Sequence, residues 1–210
     1  MLVNEEPHAS QADSQMLHPS GRDLFRYWEK LRAERAAPDR AELDLKPVRR
    51  HIGHLFLMER HRGTYRWRLS GTRICELYRG ELTGRDALSG WDSFDRDTIG
   101  RFLAGVVENL QPCILRFRLL TSLSQTIGVE MIGLPVVSRG GNLIHIFGGV
   151  FPFRDIASLS YDRIASAELS GARTIWTEHL PGDKLVARVR DANEAGTHKP
   201  FRLITGGRDG

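Results

Sequence analysis

Residues 65–84 read YRWRLSGTRICELYRGELTG, and they open on a strict two-residue alternation. Tyr65, Trp67 and Leu69 are large and apolar, whereas Arg66, Arg68 and Ser70 are polar. A period of two puts the three bulky side chains on one face of a strand and both guanidiniums on the other. The alternation stops at Ser70-Gly71-Thr72, and a short helical segment over residues 73–78 follows. Gly80 and Gly84 bracket a turn after it. A half-buried strand that passes through a Gly-Thr corner into short helices fits a sensory or ligand-binding domain better than a catalytic one.

At 210 residues the chain holds one domain of usual size with appendages, or two very small ones. Its 40% apolar and 27% charged content is that of an ordinary globular protein. No uninterrupted apolar run approaches the roughly 18 residues needed to cross a bilayer, so no membrane partner is expected. The opening MLVNEEPHASQADSQ is acidic and polar, unlike a secretory signal, and a cytoplasmic location is the expectation. Cys75 and Cys113 fit no metal or redox spacing and are expected to be reduced, half-buried thiols. The net charge of +4 is spread along the chain, with part of the excess at Lys199, Arg202 and Arg208. No basic stripe with interleaved aromatics or groove-reading helix is present, so nucleic acid is not an expected partner.

Residues 1–19 lack periodicity and read as disordered. Residues 20–40 contain an amphipathic helix: Ser20 and Asp23 have capping-box spacing, and Leu24, Trp28 and Leu31 form a stripe that Phe25 and Tyr27 widen. This helix either packs on its own domain or offers its aromatics to a dimer partner. Residues 50–155 form the core. A strand over 55–59 turns through Arg-His-Arg-Gly-Thr into the 65–70 strand, and short helices follow to residue 91. The clearest helix is capped at Asp92 or Ser93 and carries Ile99, Phe102, Leu103, Val106, Val107 and Leu110, with Pro112 closing it. Gly100 and Gly105 in that helix are expected to mark close packing on a sheet. Three strands come next, over 113–121, 127–137 and 143–153. In the first of them Cys113, Leu115, Phe117 and Leu119 share a face. Residues 156–210 read as a C-terminal extension: a short helix over 161–168, a short strand over 173–177, and a largely mobile tail from Pro181. Hairpins at both ends with helices between them give an antiparallel α+β domain rather than βαβ repeats.

That order, five strands with a long helix before the last three, resembles the layout of a PAS domain. The residues resemble it more closely than the layout does. Leu24-Phe25-Arg26-Tyr27-Trp28, Leu31-Arg32 and Pro38-Asp39-Arg40 are similar to the opening of a PAS-like family typical of alphaproteobacteria. So are Arg66-Trp67-Arg68-Leu69-Ser70-Gly71-Thr72, Gly80-Glu81-Leu82-Thr83-Gly84 and the strand ending Glu130…Leu134-Pro135. The resemblance covers about residues 21–155. It implies a five-stranded antiparallel sheet with the short helices and the long helix on one face, plus the N-terminal amphipathic helix. It also implies a sensor of small molecules or protein partners, without an attached kinase.

The resemblance frames the cofactor question. Flavin photosensors of the fold need an Asn-Cys-Arg-Phe-Leu-Gln-like helix. Cys75 sits instead in Arg-Ile-Cys-Glu-Leu, so no flavin photoadduct is expected. Haem-binding members take an axial histidine from the long helix or its neighbourhood. The long helix has none, His145 on the last strand reads as a structural histidine, and no haem is expected.

The remaining clusters read as structural. His51, His54, Glu59 and His61 are the best metal-like set, but His54 and His61 lie far apart on opposite strand faces, so they read as surface histidines and no metal is expected. Asp92, Asp95 and Asp97 suit the positive end of the long helix. Arg22 and Arg26 match half of a cyclic-dinucleotide pattern whose companion is missing, and they read as a solvated face. No phosphate loop, nucleophile elbow or H-E-x-x-H occurs.

What remains is the interior between the sheet and its helices. Leu69, Ile74, Leu77, Tyr78, Trp91, Phe102, Val106, Leu115, Phe117, Met131 and Phe147 are the candidate lining of a pocket for a small apolar ligand, or of a fully packed core. Arg116, Arg118 and Glu130 are expected on the opposite, outer sheet face, where a second copy or a signalling partner would dock. The leading expectation is a non-catalytic sensory and signal-transduction module acting by association. The alternative is a small α+β enzyme using the cavity, with His145 or Glu130 as its titrating group, and a DNA-binding regulator ranks third.

Overall fold

The computed structural model describes residues 13–138, 143–155 and 164–177. Its centre is a curled antiparallel sheet of six strands: β1 (Leu55–His61), β2 (Thr64–Ser70), β3 (Cys113–Thr121), β4 (Thr126–Ser138), β5 (Leu143–Pro152) and β6 (Ile164–Thr174), in the spatial order β2-β1-β5-β4-β3-β6. Three α-helices accompany it: α1 (Pro19–Arg32), α2 (Thr72–Tyr78) and α3 (Ser93–Glu108). Helices α2 and α3 cover one face, and α1 covers the other.

Because both faces are covered, the sheet has two apolar cores. Side chains alternate along each strand. Phe56, Met58, Leu115, Phe117, Met131 and Val150 point to the α2/α3 side, and Leu55, Leu57, Ile114, Ile132, Leu134, Phe147 and Phe151 point to the α1 side. In β3 the expected set of Cys113, Leu115, Phe117 and Leu119 does share the α2/α3 side. Arg116 and Glu130 fall on the α1 side, as the alternation requires, but that face is not open to a partner. It is roofed by Leu24, Phe25 and Trp28, each fully buried. The aromatics of α1 are thus spent on its own sheet, and the indole Nε1–H of Trp28 donates to the Pro135 carbonyl at 2.8 Å. Burying side chains of this size contributes roughly 1.5–3 kcal/mol each, which outweighs leaving them for a second copy.

Helix α1 begins earlier than its capping-box spacing indicates. His18 is the N-cap, its Nδ1 accepting from the Ser20 N–H at 3.1 Å, and Pro19 supplies the preset φ of a first helical residue. The described chain also starts inside the segment read as disordered. Asp13–Gln15 form a turn of 3-10 helix, and Met16 is buried. The rest of that segment, residues 1–12, lies outside the described residues.

The C-terminal side departs further from expectation. Ile164–Thr174 is one long strand pairing with β3 from Cys113↔Thr174 to Thr121↔Ile164, so its residues 164–168 are extended rather than helical. The free edge of β3 is what selects that conformation: it offers a full row of backbone partners. Asp95 completes the attachment. It sits buried in the first turn of α3, where Asp92 caps its N–H at 2.9 Å, and its Oδ2 accepts from the Leu169 N–H at 2.8 Å. The mobile tail expected from Pro181 lies outside the described residues. Gly100 and Gly105 do not mark tight packing: a Cβ at Gly105 would meet nothing within 4 Å, and one at Gly100 only Leu88 Cδ1 at 3.8 Å.

Gly71 does mark a close approach. Its N–H donates to the Leu55 carbonyl at 2.8 Å, and it is the N-cap of α2. A Cβ there would collide with the Gly53 carbonyl and lie 2.5 Å from the Ile52 oxygen. Backbone meeting backbone leaves no flexible atom to give way.

Two outcomes follow. Gly71→Ala should destabilise the fold by about 1–3 kcal/mol, the usual range for overpacking, read as a lower urea midpoint with α2 amides exchanging faster. Trp28→Ala should lose about 3–5 kcal/mol, with an unchanged denaturant slope if α1 and the sheet still unfold together.

Candidate functional site

The helix-side interior is walled by the first five strands. Strand β3 supplies Leu115 and Phe117, β4 supplies Met131, β5 supplies Val150, and the β1–β2 hairpin supplies Met58 and Trp67. Helix α3 closes the space with Ile99 and Leu103, and the segment around α2 closes it with Tyr78, Ala87 and Trp91. The cavity left among them is about 30 Å³. Its walls are almost wholly hydrocarbon and aromatic. Trp91 meets Phe117 edge-on with ring centroids 5.3 Å apart, and Phe56 meets Trp67 in the same way at 5.3 Å, a favourable aromatic geometry. Burial pushes the Tyr78 phenol up to about 12, so it stays neutral near neutrality.

The candidate residues separate into three groups. Tyr78, Trp91, Leu115, Phe117 and Met131 line the cavity together. Ile74, Leu77, Phe102 and Val106 pack in the same helix-side core without reaching it. Leu69 and Phe147 lie elsewhere. The ladder pairs Leu57 with Leu69 but Met58 with Trp67, so Arg68 has no partner in register. This bulge turns Leu69 onto the face opposite Trp67, where it is 54% exposed. Phe147 pairs with Leu57 and Leu134 and shares their α1-side core. Met58, Trp67, Ala87, Ile99, Leu103 and Val150 also line the cavity and are not among the residues expected there. Trp67 was within reach, since it leads the same alternation as Leu69.

The titratable candidates all sit away from this cavity. Glu130 is buried on the α1 side, where its carboxylate accepts from Leu17 N–H at 2.9 Å, His18 N–H at 2.8 Å and Arg116 Nε–H at 2.9 Å. The Arg116 guanidinium also donates to the Gln15 carbonyl. His145 is buried opposite Val136, on that same face, with Nδ1 3.4 Å from Ser138 Oγ. Cys113 is fully buried, and burial pushes its thiol up to about 12, which keeps it an inert packing group. Cys75 is half-buried, with Sγ 3.2 Å from Ser70 Oγ, and both cysteines are free.

The metal-like set disperses. His51 and His54 lie on the 3-10 segment Lys46–His54 and pack against Phe151, with His51 buried rather than on the surface. Glu59 pairs with Arg68 at 3.3 Å, and His61 ends β1. Among the described residues no three His, Cys, Asp or Glu side chains are arranged to hold a metal ion. Among them, too, no helix is long and apolar enough to cross a membrane.

Larger concavities open on the surface. One of about 550 Å³ runs between α1 and the 42–51 segment, and one of about 540 Å³ lies between the β1–β2 hairpin and α3. Arginines and carboxylates line both grooves, with Lys30 added in the first, so neither presents one sign of charge.

No curated protein matches the chain. A family model described as a PAS domain matches residues 16–151. The match starts at Met16, the residue whose burial anchors the N-terminal segment, and runs through α1, both hairpins and nearly all of β5. It stops short of β6, which pairs onto the edge of that core. A six-stranded antiparallel sheet with α2 and α3 over a closed apolar interior, together with this match over most of its length, shows that the chain belongs to the PAS domain family.

Proposed function

We propose that the chain is a non-catalytic sensory and signalling module that acts by association with a second copy or a signalling partner, tuned by a small apolar ligand in the helix-side interior. Its short motifs support placing it in the branch of the family typical of alphaproteobacteria, usually without an attached kinase, and in the cytoplasm. The observation that carries this reading is the closed interior: its walls are apolar, and neither Glu130 nor His145 faces it. Catalysis needs converging polar groups around a reacting atom, whereas the titratable side chain among the described lining of this space is Tyr78, kept neutral by burial.

A volume of about 30 Å³ holds one water, whereas a site for a small molecule occupies roughly 300 Å³ or more. A ligand therefore enters only if a wall moves. The movable wall is the segment carrying Tyr78, Ala87 and Trp91, which is only partly buried. A ligand seated there acts by binding one arrangement of that segment better than the other. Exposed apolar side chains give association its material. Leu69 on the edge strand β2 is 54% exposed, Ile52 of the 3-10 segment 48%, and Phe94 at the start of α3 75%.

Light scattering and native mass spectrometry on the purified chain test this reading. The expected result is the mass of a dimer, or a monomer that retains a small molecule or recovers a defined partner in pull-downs. A strict monomer with neither ligand nor partner would sink it.

A further inference from the structure

The α1 side of the sheet holds a group of imidazoles that play no part in the reading above. Phe151 on β5 is ringed by three of them. His18, the N-cap of α1, stacks on the ring at 5.3 Å and 12°. His54 lies tilted against it at 5.8 Å, and His51 meets it edge-on at 6.0 Å. These three side chains come from the two segments that hold α1 in place, and they converge at the point where the helix starts.

One of the three is committed to the neutral form by its hydrogen bond, and a second can take up a proton without losing its own. His18 Nδ1 accepts the Ser20 N–H, which requires a lone pair on that nitrogen. Protonation there converts the acceptor into a donor and removes the cap. His54 directs Nδ1 at the Val150 carbonyl, 3.1 Å away, so that nitrogen carries the hydrogen and Nε2 is free to take up a proton.

The surrounding carboxylates are already engaged. Facing His18 is Glu130 of β4, which holds two backbone N–H groups and the Arg116 guanidinium of β3. Facing His51 is Asp23 of α1 at 3.2 Å, whose same oxygen takes Arg50 at 2.5 Å. Near His54 are Arg73 and Glu76 of α2, paired with each other at 2.9 Å, and Arg154 and Asp155, which follow β5 and line the same surface concavity. A new positive charge on His18 or His54 thus meets a neighbouring imidazole, an apolar ring and, at Glu130 and Glu76, carboxylates that already have cations.

We propose that His18 and His54 form an acid-sensitive latch whose protonation weakens the seating of α1 on the sheet face of Leu57, Leu134, Phe147 and Phe151. Burial, the largest influence on both imidazoles, lowers them from their ordinary 6.5. In the released state they take up protons from about pH 6.5 downward, and in the docked state only at lower pH. Docking is therefore fully stable above about pH 6.5 and weakens as pH falls below it, by at most about tenfold per pH unit for each imidazole.

Hydrogen exchange on the full chain at pH 7.5 and 5.5, corrected for the intrinsic rate, reads this directly. The α1 amides should open several-fold more at pH 5.5 while the α3 amides hold their protection. The double variant His18→Asn with His54→Gln keeps a capping acceptor and cannot charge, and it should lose the pH dependence. Equal α1 protection at both pH values would overturn the latch, as would loss of α3 protection in step with α1, or a wild-type pH response in the double variant. If the double variant does not fold at pH 7.5, imidazole titration of the wild-type chain by NMR decides. His18 and His54 midpoints below 6.5 that track α1 opening support the latch, and midpoints at or above 6.5 refute it.

Discussion

The Glu130 carboxylate ties this molecule together. It is 1% exposed on β4, and its two oxygens take the Leu17 N–H, the His18 N–H and the Arg116 guanidinium. A buried carboxylate without partners costs several kcal/mol, and one with a guanidinium and two amides is held by short charge-assisted bonds. Those two amides precede α1, so satisfying the carboxylate fixes where the helix starts. Gly21 keeps the approach open, since a Cβ there would stand 3.2 Å from Glu130 Oε1. Once α1 is seated, Leu24, Phe25 and Trp28 seal a face that would otherwise be a sheet-sized apolar patch.

The parts of this architecture with clean periodicity can be read from residues alone. The alternation in β3 and the stripe along α3 each put the expected set of side chains in the helix-side core. Strand β5 behaves differently. Its run Ile144-His145-Ile146-Phe147 is buried on both faces, and a strand buried on both faces shows no alternation from which to choose a side. Phe147 was assigned to the wrong core for that reason. Leu69 was misplaced because a bulge at Arg68 reverses the face within a strand whose pattern looks regular. The cap at His18 and the strand at Ile164–Thr174 depend on partners distant in the chain, Glu130 and the β3 edge, and no local pattern announces either.

The two faces of the sheet carry different capacities. On the α2/α3 side the interior is closed to about 30 Å³, so sensing there would be a matter of moving Trp91 and its segment. The α1 side carries a polar cluster, with buried Glu130 and His51 and half-buried Arg116, His18 and His54 at one end of one helix. A polar cluster at the seam between a helix and an apolar sheet face makes docking conditional on charge, whereas an all-apolar seam would not. The family match over residues 16–151 includes α1 and its anchor, so the seam lies inside the matched region.

Everything on the α1 side depends on the N-terminal segment being fastened to Glu130. Amide exchange of Leu17 and His18 in the intact chain at pH 7.5 measures this most directly, because both N–H groups precede α1 and no helix hydrogen bond would protect them. Fastening predicts slowing of at least about a hundredfold over a free peptide, an opening free energy of roughly 2.7 kcal/mol. Exchange of both amides at the free-peptide rate would contradict it.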